Sequence, residues 1–403
     1  MNNDDEYKIY KKGIGTGIAI GALTVLLICG IAIGIFFSRK WELALASSGL
    51  KLGDDATAKI NKLIELTDRY FLYDYETDEM KENIYKSLMN SLNDPYSCYY
   101  TPEEYQEITM SNNGVFYGIG VSITEDKDNG GILVMQTYAD SPAEEAGIKE
   151  NDRIIGSGDI SFVGMDLDKA VTYIRGEEGT TVMLTIERDG EVFELEVERR
   201  KIDVITVSSE MLEDNIGYIA ISQFDGVTLN QFITAFDELD AQGMKGLIID
   251  IRSNPGGRLD IVTAMLDKIL PEGVIVSTAN KNGEEEFIYS DADCDLDVPC
   301  AVLVNQRSAS ASEIFSGALK DYGLAKIVGT QTFGKGIVQS IIPLSDGSAV
   351  KITVENYYTP SGNSIHGVGI TPDIDIELDN ELYLQGTDTQ LDAAINYIKG
   401  ELK

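Results

Sequence analysis

Between residues 201 and 380 short apolar segments alternate with amphipathic ones, and this alternation constrains the fold more than any other feature of the chain. Ile216-Gly-Tyr-Ile-Ala-Ile221, Gly246-Leu-Ile-Ile-Asp-Ile251 and Ala301-Val-Leu-Val304 read as buried strands. Each precedes a segment with apolar residues at helical spacing. The first carries Leu229, Phe232, Phe236 and Leu239, the second runs from Leu259 to Leu270, and the third spans Ala311 to Tyr322. Such alternation argues for an α/β layer structure. Val350 to Tyr357 then alternates with period two, and a closing helix carries Leu391, Ala394, Ile395 and Ile398 on one side.

Ser310 falls at the junction between the third strand and its helix, inside Asn305-Gln-Arg-Ser-Ala-Ser-Ala-Ser-Glu313. A helix start leaves backbone amides without internal partners, so the Ala311 amide is placed to receive a developing negative charge. That suits a nucleophile and the oxyanion it creates. The nucleophile needs a base. The chain has one histidine, His366, in the turn-rich stretch Gly362-Asn-Ser-Ile-His-Gly367, which favours a surface position. The other candidate is Lys335 in Thr332-Phe-Gly-Lys-Gly336. A free lysine titrates near ~10.4, but burial disfavours its charged form and lowers that value. Serine-lysine pairs are an established variant of the serine triad. Gly329 to Lys335 also approaches a phosphate-binding loop, but Gly336 stands where a magnesium-holding Ser or Thr is required. The segment after it, Ile337 to Pro343, reads as a strand, so nucleotide binding is rejected.

Four stretches together give the chain a strong likeness. They are Asp250-Ile-Arg-Ser-Asn-Pro-Gly-Gly257, Ser308-Ala-Ser-Ala-Ser-Glu313, Gly329-Thr-Gln-Thr-Phe-Gly-Lys-Gly-Ile-Val-Gln339, and Tyr358-Thr-Pro-Ser-Gly362 followed by Gly369-Ile-Thr-Pro-Asp373. In order and spacing the chain resembles the carboxyl-terminal processing peptidases, or tail-specific proteases, from about residue 55 to its end. The resemblance implies a serine endopeptidase with Ser310 as nucleophile, Lys335 as general base and Gln339 orienting that base. It implies that the amides of Gly256 and Ala311 form the oxyanion hole. It implies no cofactor.

The implied architecture is an α/β protease core with an inserted PDZ-like β-rich domain, an N-terminal helical region and one N-terminal transmembrane helix. The expected sections are a cytoplasmic tail at 1–13, a transmembrane helix at 14–38, a linker at 39–54 and a helical region at 55–110. A PDZ domain at 111–200, a peptidase core at 201–380 and a C-terminal helix at 381–403 complete the chain. Residues 14–38 hold more than twenty apolar residues in a run without a charge, enough to span a bilayer as a helix. Ala44-Leu-Ala46 resembles a signal cleavage box and Leu26-Leu-Ile-Cys29 a lipid-attachment site. The run is too long for a secretory signal and continues past the cysteine, so an uncleaved anchor is favoured. Flanking basic residues do not decide its orientation. The short tail and the resemblance place the catalytic region outside the cytoplasm.

In the helical region Ile60, Leu63 and Ile64 share a face, as do Met80, Ile84, Leu88 and Leu92. Asp94-Pro-Tyr-Ser97 ends the second helix, and Thr101-Pro-Glu-Glu-Tyr105 reads as a short turn. In the family this part supports homodimers. Within 111–200 the stretch Gly118-Ile-Gly-Val121 looks like a PDZ loop. Its amides from Gly118, Ile119 and Gly120 can receive a terminal carboxylate, while the strand beginning at Val121 can pair with an extended peptide. Asn151 stands where the family has glycine, and Asn tolerates left-handed geometry. Arg175 resembles the family arginine that relays ligand binding to the active site; a solvated arginine after a helix is the other reading.

Net charge is −35, which repels nucleic acid and anionic lipid alike. The resemblance implies protein or peptide substrates with accessible C-termini as partners, with the membrane reached through the N-terminal helix. Four cysteines are too few for a disulfide scaffold, though a Cys294–Cys300 bridge remains open outside the cell. No metal-ligand spacing occurs. Two other function classes compete with a peptidase: a non-catalytic PDZ scaffold that binds protein C-termini, and an acyl-CoA-processing enzyme.

Overall fold

A computed structural model describes residues 53–126, 130–291 and 294–403. The expected span at 14–38, the tail before it and Cys29 lie outside these residues. Among the described residues no helix is long and apolar enough to cross a membrane. The chain divides into two units, residues 1–77 and 78–403. In the first, α1 (Asp54–Tyr70) buries no residue, and Leu63 and Leu66 on it are exposed.

The second unit begins in α2 (Thr77–Asn90), where Ile84 and Leu88 are exposed, as is Leu92 just beyond it. The face that Ile84, Leu88 and Leu92 share is therefore on the surface. After β1 (Cys98–Tyr100) the stretch expected as a turn is instead the start of an eleven-residue helix, α3 (Pro102–Asn112). Thr101 Oγ1 accepts from the Glu104 amide and Glu104 returns the bond to the Thr101 amide, a reciprocal cap that makes Pro102 a first-turn residue.

The β-rich module follows. Strand β2 (Val115–Gly118) pairs with β9 (Arg200–Asp203). A second sheet runs β3 (Val121–Glu125), β4 (Ile132–Thr137), β5 (Arg153–Ser157), β7 (Thr181–Arg188) and β8 (Glu191–Glu198), with β6 (Ile160–Ser161) on β5. Helices α4 (Pro142–Glu145) and α5 (Leu167–Ile174) close its core around Ile132, Val134, Ile154, Phe162, Leu184 and Ile186. Ser141 caps α4, and Asn151 takes a left-handed φ of 69°, as its side chain permits.

The core is a six-stranded sheet in the order β10 (Val207–Leu212), β11 (Ile216–Ile221), β12 (Gly246–Asp250), β15 (Cys300–Val304), β16 (Ala325–Gly329), β19 (Ile374–Asp375). All pairs are parallel except β10 with β11. Central strands covered on both faces must be apolar throughout, which explains Gly-Leu-Ile-Ile-Asp and Cys-Ala-Val-Leu-Val. Leu247, Ile249, Val302 and Val304 face a core built by α6 (Thr228–Ala241), α7 (Leu259–Ile269) and α8 (Ala311–Asp321). Ile248, Ala301 and Leu303 face the opposite way, against Ala394 and Ile398 of α10 (Thr389–Glu401), which follows the short α9 (Asn380–Tyr383). A further sheet runs β1, β18 (Ala349–Tyr358), β13 (Gly273–Asn280), β14 (Glu285–Ser290), with β17 (Ile337–Pro343) also on β18. Ser310 thus lies beyond the carboxyl end of a central parallel strand, and Lys335 just before β17.

Candidate active site

Ser310 turns β15 into α8 with φ 56° and ψ −115°, a backbone region that non-glycine residues rarely enter. Holding a serine there costs on the order of 1–3 kcal/mol, so its surroundings must determine it. The Ser310 amide donates to Glu313 Oε2 at 2.9 Å, its carbonyl accepts from the Tyr357 hydroxyl at 3.0 Å, and the preceding Ala309 amide donates to Asn254 O at 3.1 Å. The strained turn sets Ser310 at the junction of β15 and α8, in the manner of a nucleophile elbow.

Glu313 is the residue that sequence reasoning missed. Its side chain has no exposed surface, and an isolated carboxylate buried to that degree would cost several kcal/mol. Four donors offset the cost. Oε2 accepts from the amides of Ser310 and Lys335, the latter at 2.8 Å, and Oε1 accepts from the Gly334 amide at 2.7 Å and Thr332 Oγ1 at 2.6 Å. One carboxylate oxygen therefore binds the backbone of both Ser310 and Lys335. Tyr357, on β18, repeats the link from the other side: its single hydroxyl proton is shared between the Lys335 carbonyl at 2.7 Å and the Ser310 carbonyl. Burial, and then the Glu313 charge, push the Tyr357 phenol well above 10, so it remains a donor. The visible signal was a glutamate three residues after a helix cap, which alone predicts only a local capping bond.

The Lys335 side chain is half-buried. Burial pushes its amine below the ordinary lysine range, the Lys351 ammonium adds to this, and Asp94 and Glu313 oppose it. No hydrogen bond or ion pair to Nζ occurs among the described residues, Ser310 Oγ and Gln339 included. Nζ lies 4.6 Å from the centre of the Tyr96 ring. Gln339, opposite Thr353 in the β17–β18 register, gives its amide to Ile337 O and Thr353 Oγ1, each at 3.4 Å.

Gly256, with φ 106°, packs directly on the serine: a β-carbon there would lie 2.8 Å from Ser310 Cβ and 3.0 Å from Ala311 N. Only glycine permits this approach. The Ala311 amide carries no hydrogen bond among the described residues, whereas the Gly256 amide donates to Asn254 Oδ1 at 2.8 Å. The flanking serines are committed elsewhere. Ser308 Oγ donates to Ile251 O at 2.8 Å and Ser312 Oγ to Asn254 O at 2.9 Å, both fully buried. His366 is exposed, with its backbone against Gly336.

In the β-rich module, Gly118 ends β2, Ile119 is buried, Gly120 has φ 80°, and Val121 opens β3, an edge strand of its sheet. The Ile119 and Gly120 carbonyls are occupied by the amides of Ala143 and Tyr138. Arg175 is exposed and stacks on Phe116 at 5.5 Å, close to Gly118. Cys294 and Cys300 are free thiols, so the open bridge is not formed. Among the described residues no group of His, Cys, Asp and Glu could hold a metal ion.

A strained serine at a strand-to-helix turn, stapled to a half-buried lysine beside a glycine-lined wall, has the parts of a serine peptidase, and the neighbouring module those of a peptide binder. Comparison with known proteins agrees. The model of peptidase family S41 matches residues 215–376 and that of the PDZ domain residues 107–187. Carboxy-terminal processing protease CtpA of Bacillus subtilis (strain 168) is 36% identical over 359 residues, covering 89% of this chain and 76% of that protein. Carboxy-terminal processing protease CtpB of the same organism is 36% identical over 330 residues, covering 80% and 68%. A putative S41 protease from Bacteroides fragilis NCTC 9343 shares the fold, with a TM-score of 0.52 and 18% identity over 78% of this chain and 90% of that one. The chain belongs to peptidase family S41, among the carboxy-terminal processing proteases, and is a serine-type peptidase with a PDZ domain. That membership sets aside the scaffold and acyl-CoA readings.

Proposed function

We propose that the protein is a membrane-anchored endopeptidase that cleaves proteins outside the cytoplasm through a Ser310–Lys335 dyad. In its neutral form Lys335 takes the proton from Ser310 Oγ as that oxygen attacks the scissile carbonyl. The Ala311 amide, and the Gly256 amide shared with Asn254 Oδ1, receive the oxyanion; donors of this kind are worth about 2.7–4 kcal/mol each in comparable sites. Lys335 then protonates the leaving amine, and water releases the acyl group. The observation that carries this reading is the pair of Glu313 and Tyr357 bonds that fix the two backbones together. Nζ rests on Tyr96 and swings to Oγ by side-chain rotation; catalytic hydrogen bonds often close only with substrate bound.

The PDZ domain presents β3 as a free edge beside the Gly118–Val121 loop, which supports capture of an extended C-terminal tail by strand addition. Arg175, beside that loop, is placed to sense the tail. The apolar run at 14–38 serves as the anchor, and the exposed apolar faces of α1 and α2 supply the homodimer contact. Fluorophosphonate labelling with peptide mapping tests the chemistry: modification falls on Ser310 and is lost in Lys335→Ala. A Lys335→Ala protein that labels at the parental rate would remove the dyad. Recovery of the protein in the soluble fraction after alkaline extraction of membranes would remove the anchor.

A further inference from the structure

We propose that Tyr96 is a positioning residue for Lys335: its ring face is the resting seat of the ammonium and holds that base off Ser310. The inference rests on Lys335 as the base.

Asp94-Pro-Tyr-Ser97 reads in the sequence as no more than a helix terminator. In the structure it is a braced turn against β18. Asp94 Oδ1 accepts from the Tyr96 amide at 3.0 Å, and Oδ2 from Ser97 Oγ at 2.5 Å and Thr353 Oγ1 at 2.6 Å. Ser97 Oγ in turn accepts from the Thr353 amide at 3.0 Å, and Thr353 Oγ1 from Gln339 Nε2. Burial works to raise the Asp94 carboxyl, but these donors and the Lys335 charge hold it below its ordinary value, so the brace persists as a carboxylate. The braced turn thus sets the Tyr96 ring under an amine that has no hydrogen-bond acceptor among the described residues.

An aromatic face attracts a cation and not a neutral amine. The ring therefore stabilises the form of Lys335 that cannot act as a base. It also covers the amine with apolar surface, which works the other way. The charged groups facing Lys335 are Lys351 of β18, Asp94 of the turn and Glu313 of α8; none of them changes when the ring does. Replacing Tyr96 with an aliphatic side chain of similar bulk keeps the cover and removes the attraction. The amine then deprotonates at lower pH and leaves its seat more readily.

The test measures the rate of fluorophosphonate labelling of Ser310 between pH 6 and 10, on the full chain in detergent micelles, for wild type, Tyr96→Phe, Tyr96→Leu, Tyr96→Met and Lys335→Ala. Phe keeps the ring face and reproduces the wild-type profile. Leu and Met move the acid limb about 0.7 pH unit downward and raise the rate at pH 7 about fivefold. A purely structural role for Tyr96 predicts slower labelling with an unmoved limb in both. If Leu and Met label no faster than wild type on an unmoved limb while Lys335→Ala is inert, the seat is refuted and the dyad stands. If Lys335→Ala labels normally, the dyad fails and takes the seat with it.

Discussion

Glu313→Gln separates a capping glutamate from a carboxylate that builds the site. The substitution is isosteric, so it opens no cavity, but it exchanges two acceptor oxygens for one oxygen and one NH2 group. If the oxygen stays toward Thr332 and Gly334, the NH2 confronts the amides of Ser310 and Lys335, and both lose their acceptor. If the amide flips, the Gly334 amide is stranded and Thr332 must turn its hydroxyl, whose oxygen already accepts from the Ile370 amide at 2.6 Å. A buried donor left without a partner costs about 1–3 kcal/mol. The two orientations thus predict a loss of about 2–6 kcal/mol. At roughly 1.5 °C per kcal/mol for a unit spanning residues 78–403, the melting temperature falls by at least about 3 °C. Because the weakened bonds hold the backbones of Ser310 and Lys335, the lower figure alone predicts a labelling rate at Ser310 reduced about thirtyfold. Calorimetry and fluorophosphonate labelling on the same preparation read both quantities. A Glu313→Gln protein that melts within a degree of wild type and labels within threefold would show that the shared carboxylate does not organise the site.

Ser308→Ala and Ser312→Ala each remove a buried hydroxyl that donates to a backbone carbonyl, so each lowers stability by about 1–3 kcal/mol in denaturant melts while Ser310 still labels; loss of labelling in a folded Ser308→Ala protein would move the nucleophile. Asp225 is buried, and its carboxyl is pushed up to about 6 by that burial, against a bond from Gln223 and the Arg258 charge. Its native pKa lies above the unfolded value near ~3.9, so the folded state holds the proton longer and stability falls as pH rises from about 4 through 6. Asp225→Asn therefore raises the melting temperature at pH 7.5 and leaves it unchanged at pH 4; equal gains at both values would contradict the linkage.

Much of this was written in the sequence because it is local. Strands buried on two faces must be apolar at every position, and helices with one buried face repeat at 3.6 residues, so the α/β core and the place of Ser310 could be read directly. The left-handed turn at Asn151 and the exposed His366 followed from the same local rules. The helix at Pro102–Asn112 was missed although its reciprocal cap is visible in Thr101-Pro-Glu-Glu104, because a threonine-proline pair also opens turns. What the sequence could not disclose is contact across the chain. Glu313 is 22 residues from Lys335, Tyr357 is 47 from Ser310, and Thr353 is 259 from Asp94. No periodicity encodes these pairs. Nor does an amphipathic pattern say whether its apolar face meets its own unit, and on α2 it does not.

The Lys335 amine, in a chain of net charge −35, faces an opposing field, since carboxylates at any distance favour its protonated form. Long-range attraction is screened beyond about 8 Å at physiological ionic strength, so the outcome is settled among near neighbours. There the balance is specific. Asp94 and Glu313 favour the ammonium, but each has other donors to satisfy: Asp94 binds Ser97, Thr353 and the Tyr96 amide, and Glu313 binds three backbone amides and Thr332. Neither forms an ion pair with Nζ. Burial and Lys351 then prevail and lower the lysine's affinity for its proton. The two carboxylates that act on Lys335 are thus occupied in holding its loop and the Tyr96 turn, which leaves the amine to be set by what surrounds it on contact.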